Sequence, residues 1–259
     1  MNVQDKINIL YNNCKNLLSY EFDNSIEIKN VDEAYLIQDS FINLKKKNGF
    51  GEIGGWKVAL TNPEMQKLVG VDNPVEGAIL NSLIYKNNVS LKLENYCHLG
   101  VEAEIALKIH KDIPSKVNGF NSKEEITPYL KEVMIALEIV DDRNSGANIT
   151  FEKLIAQNSM NYGCVIGEPI EMDLMTLDEL EGELIVSDNI FGRGKGKNVL
   201  QHPLNSVLYL VNNLIKRGRK LYAGDIVLTG SISTTCWPKS GDKVEAHIDK
   251  LNTVSLNIF

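Results

Sequence analysis

The first fifty positions of the chain carry apolar residues at helical spacing. Four of them fall on one face of a single helix: Ala34, Ile37, Phe41 and Leu44. Asn30 and Glu33 precede this run with the spacing of an N-terminal capping pair, and Gly49 and Gly51 end it. The pattern therefore predicts a helical segment over residues 1–52 that packs on the rest of the chain.

After Gly54 the pattern changes to short apolar runs separated by Gly, Asn and Pro, which is typical of strands joined by turns. Residues 101–109 alternate apolar and polar positions and predict a strand. Residues 126–132 are predicted to be helical, with Pro128 in the first turn. The apolar run at 133–140 fits either a buried strand or a buried helix.

A second helix is predicted over residues 202–217, beginning near Pro203 and ending at Gly218. Three strands are predicted after it: residues 226–229, 243–248 and 254–258. The pattern as a whole indicates an α+β protein in which the helical segment precedes a mixed, β-rich body over residues 53–259.

The charge pattern excludes several function classes. The formal net charge is −7, and the longest basic run, Lys45 to Lys47, is interpreted as the solvated end of a helix, so a nucleic-acid partner is not expected. We expect neither a membrane span nor a signal peptide, which favours the cytoplasm. The cysteines lack paired spacing and are expected to be free thiols: Cys14, Cys97, Cys164 and Cys236.

Two glutamates in the strand predicted at 101–109 share one face. Glu102 and Glu104 are two residues apart, so their side chains lie about 7 Å apart along the strand. Carboxylates this close repel each other unless water or a cation lies between them. A solvated outer face explains the same pattern, and Lys108 on that face agrees with this alternative.

Glu138 is the one charged residue in the apolar run MIALEIV. A carboxylate in such a run is costly to bury unless it is paired or bound to a metal, although a position at a strand edge also explains it. Three glutamates that leave positions open for water and substrate suit Mg²⁺ or Mn²⁺, whereas scattered histidines and cysteines argue against zinc.

Lys57 stands in an apolar strand directly after Gly54-Gly55-Trp56. The glycine pair would let a ligand approach closely, and a buried lysine near a cation would have a lowered pKa suited to proton transfer. A surface lysine with a packed stem is the alternative.

Several motifs in order resemble the 2-keto-4-pentenoate hydratase branch of the fumarylacetoacetate hydrolase superfamily. They are GWKVALTNPEMQKLVGVDNPVEGAI, VEAEIAL, ALEIVDDR, HPLNSVLYLVNNL, GDIVLTG and GDKVEAHI. The resemblance covers most of the chain from Lys57 onward and implies the mixed β-sheet, or roll, of that superfamily.

The resemblance also implies roles for individual residues. Glu102, Glu104 and Glu138 would be the metal ligands, and Lys57 a catalytic lysine that moves protons during ketonisation before water adds to the substrate. Leu60 and Ser159 are assigned to substrate binding. Thr229-Gly230-Ser231, after a strand, is interpreted either as a set of hydroxyl and backbone donors for a substrate carboxylate or as a plain turn. The implied reaction is metal-dependent hydration of a 2-hydroxy-2,4-dienoate to a 4-hydroxy-2-oxo acid, by a homo-oligomer without an organic cofactor.

Two further residues are catalytic candidates with structural alternatives. Arg143 is interpreted as a clamp for a substrate carboxylate or as a structural partner of Asp141 or Asp142. Asp72, in the GVDNP turn, is interpreted as part of a lid or as a residue that shapes the turn.

The chain also departs from the family. The family string A-D-N-A-S is replaced here by residues 156–160, AQNSM, which puts Gln157 in place of the aspartate and Met160 in place of the serine. An expected Asp-Trp pair after Arg143 is replaced by Gly146-Ala147. These changes motivate one alternative, a non-catalytic partner subunit. Two others stay open: a 2-oxo-3-enedioate (4-oxalocrotonate-type) decarboxylase, which would use the same metal and enolate, and an acylpyruvate hydrolase, whose family usually has aspartate where Glu138 stands.

Overall fold

A computed structural model describes residues 1–146 and 149–259, without the side chain of Leu68. Two helices lie within the first 52 residues: α1 (Val3–Lys15) and α2 (Val31–Lys45). Asn30 caps α2 as predicted, because its Oδ1 accepts a hydrogen bond of 2.9 Å from the Glu33 amide. The predicted helical pattern of the N-terminal segment is thus confirmed.

Two β-sheets form the body of the protein. The large sheet contains β1 (Ile53–Ala59), β2 (Val75–Leu80), β3 (Ile84–Lys86), β5 (Leu99–Ile109), β6 (Leu130–Asp141), β7 (Asn161–Ile166), β8 (Ile170–Glu171) and β11 (Ile226–Ser231). The small sheet contains β4 (Val89–Leu91), β9 (Glu181–Val186), β10 (Asn189–Lys195), β12 (Lys243–Ile248) and β13 (Val254–Ile258). Both sheets mix parallel and antiparallel pairs, so the α+β prediction is confirmed.

The strand order places β5 and β6 near the middle of the large sheet, in the order β2-β1-β11-β5-β6-β7-β3, with β8 also paired to β6. The small sheet has the order β10-β9-β12-β13-β4. Strands β5 and β6 are antiparallel, and both of their faces are buried. Polar side chains on them are therefore enclosed. This excludes the solvated outer face as the alternative for Glu104 and the exposed strand edge as the alternative for Glu138.

Four shorter or later helices connect the strands: α3 (Pro63–Val69), α4 (Lys123–Ile126), α5 (Phe151–Ala156) and α6 (Pro203–Lys216). The helix predicted at 202–217 is confirmed as α6, with His202 as its N-cap. The helix predicted at 126–132 is wrong, because only a short 3₁₀ turn at Thr127–Tyr129 separates α4 from β6. Pairing of β6 with β5 overrides the local helical signal there.

Other predictions have mixed outcomes. The cysteines are free, as expected. Lys45 is buried, so the solvated helix end expected from the basic run is wrong for this residue. No helix in the described part of the chain combines the length and apolar character needed to cross a membrane.

Candidate functional site

The pairing of β5 with β6 brings three glutamates together. Glu102 lies directly opposite Glu138 in the antiparallel register, and Glu104 follows two residues later on the same face of β5. One carboxylate oxygen from each residue lies within 4.8 Å of the others. We call Glu102, Glu104 and Glu138 the glutamate cluster. Glu104 and Glu138 are fully buried, whereas Glu102 is partly exposed and marks the side on which the cluster is open.

Each glutamate of the cluster is oriented by one neighbouring hydrogen-bond donor. The Gly230 amide donates to Glu104 Oε2 at 2.7 Å, the Thr235 hydroxyl donates to Glu102, and Asn161 Nδ2 donates to Glu138 Oε1 at 2.9 Å. The remaining oxygens, Oε1 of Glu104 and Oε2 of Glu138, are buried and have no hydrogen-bond partner in the described structure. Buried acceptors without donors are costly, and an oxygen-binding cation would satisfy both.

The electrostatics of the glutamate cluster agree with cation binding. Burial raises the pKa of Glu104 well above its ordinary value, and the charges of Glu138 and Glu102 raise it further. Burial and the charge of Glu138 also raise the pKa of Glu102. Without a cation the carboxylates therefore resist ionisation together, while a divalent cation would hold all three in the charged form. The oxygen-only donor set fits a hard divalent metal.

Lys57 lies beside the cluster on β1, which runs parallel to β11. Its Nζ is 3.2 Å from Glu138 Oε1, and the side chain is 3% exposed. Burial lowers the pKa of the Lys57 ammonium, but the attraction of Glu138, Glu102 and Glu104 exceeds that effect, so the pKa is raised. The carboxylates that form the cluster thus stabilise the charged lysine. The lowered pKa predicted from the sequence applies to a lysine beside a bound cation and stays a prediction.

The glycine pair before Lys57 serves strand packing. A Cβ on Gly55 would lie 2.4 Å from the Ile226 carbonyl oxygen of β11, and one on Gly54 would lie 3.0 Å from side-chain atoms of Asn81 and Ile84. The expectation that Gly54 and Gly55 make room for a ligand is not supported. Their small size instead allows the close approach of neighbouring backbone that holds Lys57 in place.

Among residues 229–231, only Gly230 donates a hydrogen bond to a carboxylate of the glutamate cluster in the described structure. The Thr229 hydroxyl donates to the Ile105 carbonyl at 2.8 Å, and the Ser231 hydroxyl donates to the Ser233 carbonyl at 2.7 Å. Gly230 has φ +119°, and a Cβ there would meet the Thr61 hydroxyl oxygen at 2.3 Å. Glycine is thus required for the backbone to reach Glu104, and the two hydroxyls are occupied by backbone carbonyls.

The segment that departs from the family pattern forms a left-handed turn after α5. Asn158, Ser159 and Met160 have φ of +58°, +51° and +60°. Asn158 bonds both the amide and the carbonyl of Ala78, at 2.7 and 2.8 Å, and the Ser159 hydroxyl donates to the Glu76 carbonyl at 2.9 Å. The Ser159 hydroxyl is therefore used to anchor the turn to β2, which argues against the expected contact with substrate.

Met160 and Leu60 are apolar residues that the sequence places near the substrate pocket. Both belong to one apolar cluster, in which Leu60 is buried and Met160 is half-buried. Leu60 follows β1 with φ +56°, a strained conformation for a residue with a bulky side chain. Because Met160 directly precedes Asn161, the methionine that replaces the family serine adjoins a residue bonded to Glu138. The remaining departure, Ala147, lies outside the described residues.

Arg143 is a structural residue rather than a substrate clamp. Its side chain is 1% exposed, and it donates to Asp23 Oδ2 at 2.7 Å and to the Leu18 and Ser19 carbonyls at 2.6 and 3.2 Å. These bonds occupy the guanidinium, which leaves no face for a carboxylate of a substrate. The alternative of a structural ion pair is therefore supported, but the carboxylate that pairs with the guanidinium belongs to Asp23 and not to Asp141 or Asp142.

The hydrogen bond made by Gln157 explains why this chain has glutamine where the family has aspartate. Its Nε2 donates to Asp23 Oδ2 at 3.1 Å, beside Arg143. An aspartate at this position would place a second carboxylate against Asp23, whereas the amide supplies a donor.

Asp72 is exposed in the loop between α3 and β2, and its interpretation as a lid residue stays a prediction.

Two residues of the site were missed in the sequence. Asn161 stands one residue after the altered segment, and Thr235 lies in a loop more than 130 positions from Glu102 in the chain. Polar residues in such surroundings carry no periodic signal. Only the register of β6 with β7, and of the loop after β11 with β5, brings them to the cluster.

Comparison with known proteins identifies the family. Residues 80–258 match the profile of the fumarylacetoacetate (FAA) hydrolase C-terminal family. The chain is 33% identical over 222 residues to a 2-keto-4-pentenoate hydratase of Burkholderia vietnamiensis, covering 85% of this chain and 83% of the relative. It is 25% identical over 232 residues to the 2-oxo-hept-4-ene-1,7-dioate hydratase of Escherichia coli, covering 88% and 85%.

Solved structures agree on the fold. The 4-oxalocrotonate decarboxylase of Pseudomonas putida G7, complexed with magnesium and adipate, superposes with a TM-score of 0.90 over 99% of this chain and 97% of that one, at 22% identity. The fumarylpyruvate hydrolase of Pseudomonas aeruginosa, in complex with Mn²⁺ and pyruvate, gives a TM-score of 0.59 over 78% and 88%, at 14% identity. On the matched profile and the hydratase relatives, this chain belongs to the fumarylacetoacetate hydrolase family.

Proposed function

We propose that the chain is a divalent-metal-dependent hydratase that converts a 2-hydroxy-2,4-dienoate into a 4-hydroxy-2-oxo acid. The observation that carries the proposal is the glutamate cluster, in which two buried carboxylate oxygens lack partners beside a buried lysine. Relatives named as hydratases of this substrate class support the reaction type.

Glu102, Glu104 and Glu138 would hold the metal, and Mg²⁺ or Mn²⁺ fits their oxygen donors. Charge balance supports a divalent ion, because three ionised glutamates and one protonated lysine leave two negative charges. When bound, the metal supplies electrostatic stabilisation for the negative charge that develops on the 2-oxygen and the carboxylate of the substrate.

Lys57 is suited to hold and move a proton. The neighbouring carboxylates keep it protonated. Among the described residues its ammonium pairs only with Glu138, which leaves further N–H groups for a substrate. Ketonisation of the dienoate removes the proton of the 2-hydroxyl and adds a proton at C5, which leaves a C3–C4 double bond conjugated with the 2-oxo group. Water then adds at C4 and a proton at C3.

Asn161 and Gly230 act as positioning residues in this account. Asn161 fixes the Glu138 oxygen that also contacts Lys57, and Gly230 fixes one oxygen of Glu104. The other oxygen of each of these two glutamates has no partner among the described residues and is free to bind a metal. A site held this rigidly needs little reorganisation when the charged substrate arrives.

The test is a spectrophotometric panel of 2-hydroxydienoates and 2-oxo-3-enedioates, with EDTA or with Mg²⁺. We expect the dienoates to be consumed only with the metal and to yield 4-hydroxy-2-oxo acids. Release of carbon dioxide from the enedioates, without hydration of any dienoate, would instead support the decarboxylase. Metal binding without turnover of any compound would support the non-catalytic subunit.

A matched pair of variants distinguishes the loss of a proposed metal ligand from a general disturbance of strand β6. Glu138→Gln removes a proposed ligand from β6, whereas Glu132→Gln changes a partly exposed glutamate on the same strand that pairs with Lys108 at 2.8 Å. Activity should be lost in the first variant and kept in the second.

A homo-oligomeric state and a cytoplasmic location, both expected from the sequence, also remain parts of the proposal.

A further inference from the structure

A cavity lies between the N-terminal helices and the large sheet. Its lining residues are all outside the glutamate cluster. Its volume is about 410 Å³, within the range of small-molecule sites. Five aromatic rings line it: Tyr11, Phe50, Tyr85, Tyr96 and Tyr162. Lys15, Phe50 and Asn95 are exposed at its rim, so the cavity opens to solvent.

Lys45 is the buried cation of this cavity. It is 7% exposed, and its Nζ lies 4.6 Å from the ring centre of Tyr162 and 5.9 Å from that of Phe50. The structure gives it neither a hydrogen bond nor an ion pair with any described residue. Two other lysines are similarly buried, but Lys6 pairs with Glu33 at 2.8 Å and Lys57 pairs with Glu138 at 3.2 Å. Burial lowers the pKa of Lys45, as expected for an ammonium without a carboxylate partner.

The lining selects the chemistry of a ligand. Lys45 and Lys15 are its two charged residues, and it contains no carboxylate, so an anion is favoured and a cation is repelled. Two titratable groups raise the pKa of Lys45 against the effect of burial: the Cys14 thiol and, to a smaller extent, Asp141. The oxygens of Asp141 already accept hydrogen bonds from three backbone amides. Aromatic walls favour a flat, unsaturated body through stacking.

We propose that this cavity binds a small organic monocarboxylate with a flat, unsaturated or aromatic body, whose carboxylate pairs with Lys45. The site is separate from the glutamate cluster and needs no metal, and the proposal does not depend on the proposed hydratase function. The two sites adjoin in the chain: Tyr162 contacts Lys45 in the cavity, while the preceding Asn161 bonds Glu138.

The probe is hexa-2,4-dienoate, which is flat and anionic and lacks the 2-oxygen of the proposed substrates. It is titrated calorimetrically into the full chain with EDTA present, since the metal-free glutamate cluster repels anions. We expect one molecule bound per chain. The neutral analogue hexa-2,4-dien-1-ol should bind at least about tenfold more weakly, because it cannot pair with the ammonium.

Two matched variant pairs locate the binding. Lys45→Met should weaken binding of hexa-2,4-dienoate about tenfold or more, and Lys47→Met, at an exposed lysine outside the cavity, should leave it unchanged. Phe50→Ala, which removes a partly exposed wall, should weaken binding severalfold, and Phe22→Ala, at an exposed ring elsewhere, should not. The Phe50 pair also decides the matter if Lys45→Met does not fold.

Three results would each overturn the proposal. One is that the wild-type chain binds no hexa-2,4-dienoate with EDTA present. Another is that the alcohol binds as tightly as the carboxylate. The third is unchanged affinity in both Lys45→Met and Phe50→Ala, which would place the ligand elsewhere.

Discussion

Lys57 Nζ lies 3.2 Å from Glu138 Oε1, and both side chains are closed off from solvent. Asn161 donates to the same oxygen, whereas the other oxygen of Glu138 has no partner. One carboxylate thus contacts the proposed proton carrier on one side and faces the proposed metal position on the other. Substitution of Lys57 should therefore affect proton transfer, and substitution of a glutamate of the cluster should affect metal binding.

Replacing Lys57 by methionine should lower kcat by about 10²–10⁴, the usual contribution of a general acid or base. The side chains are similar in volume, so the strand should keep its packing. Affinity for Mn²⁺ should not fall by a comparable factor, because the three carboxylates remain. The measurements are dienoate hydration, calorimetric Mn²⁺ titration and a thermal melt, and near-wild-type turnover would show that the lysine is only structural.

Met160→Ser should change substrate preference more than metal affinity. The sequence predicts that Met160 lines the substrate pocket, and the side chain packs against the apolar cluster that contains Leu60. A shorter polar side chain should therefore change the shape of the pocket while the proposed metal ligands stay in place. The measurement is kcat/KM for dienoates of different chain length, with Mn²⁺ titration as the control. Equal loss of activity and metal binding would count against a role in the pocket.

Arg143→Met should destabilise the fold by about 3–5 kcal/mol, because it leaves the buried carboxylate of Asp23 without its ion-pair partner. Arg193→Met is the matched control, since Arg193 forms an exposed pair with Glu183 that should contribute about 1 kcal/mol or less. Chemical denaturation measures both. If Arg143→Met remained stable and instead lost substrate affinity, the clamp interpretation would be restored.

The metal-free protein should show an unusual dependence of stability on pH. Glu104 has a raised pKa in the folded state, so its stabilising effect is greatest below its unfolded pKa of about 4.3 and is lost as pH rises through the folded pKa. With EDTA, the melting temperature of the wild type minus that of Glu104→Gln should therefore fall as the pH rises above about 4.3. A difference that does not change with pH would contradict the raised pKa.

The sequence predicted the elements and the ligand candidates better than it predicted the contacts. Periodicity located α2 and α6, because each buries one face with a regular repeat. Alternation of apolar and polar residues located β5, although both of its faces are buried. It failed at residues 126–132, where pairing with β5 decides the structure. Thr235 and Asn161 reach the cluster only through strand register, which no local pattern encodes. The partner of Arg143 was missed for the same reason, since Asp23 is 120 positions away.

The most direct test of the central claim is a calorimetric titration of Mn²⁺ into the wild type, Glu104→Gln, Glu138→Gln and the control Glu132→Gln. The account predicts one ion per chain in the wild type and in Glu132→Gln. In the two cluster variants it predicts an affinity loss of at least about tenfold, because each removes an oxygen ligand and its charge. Equal Mn²⁺ affinity in all four proteins would show that the glutamate cluster is not the metal site.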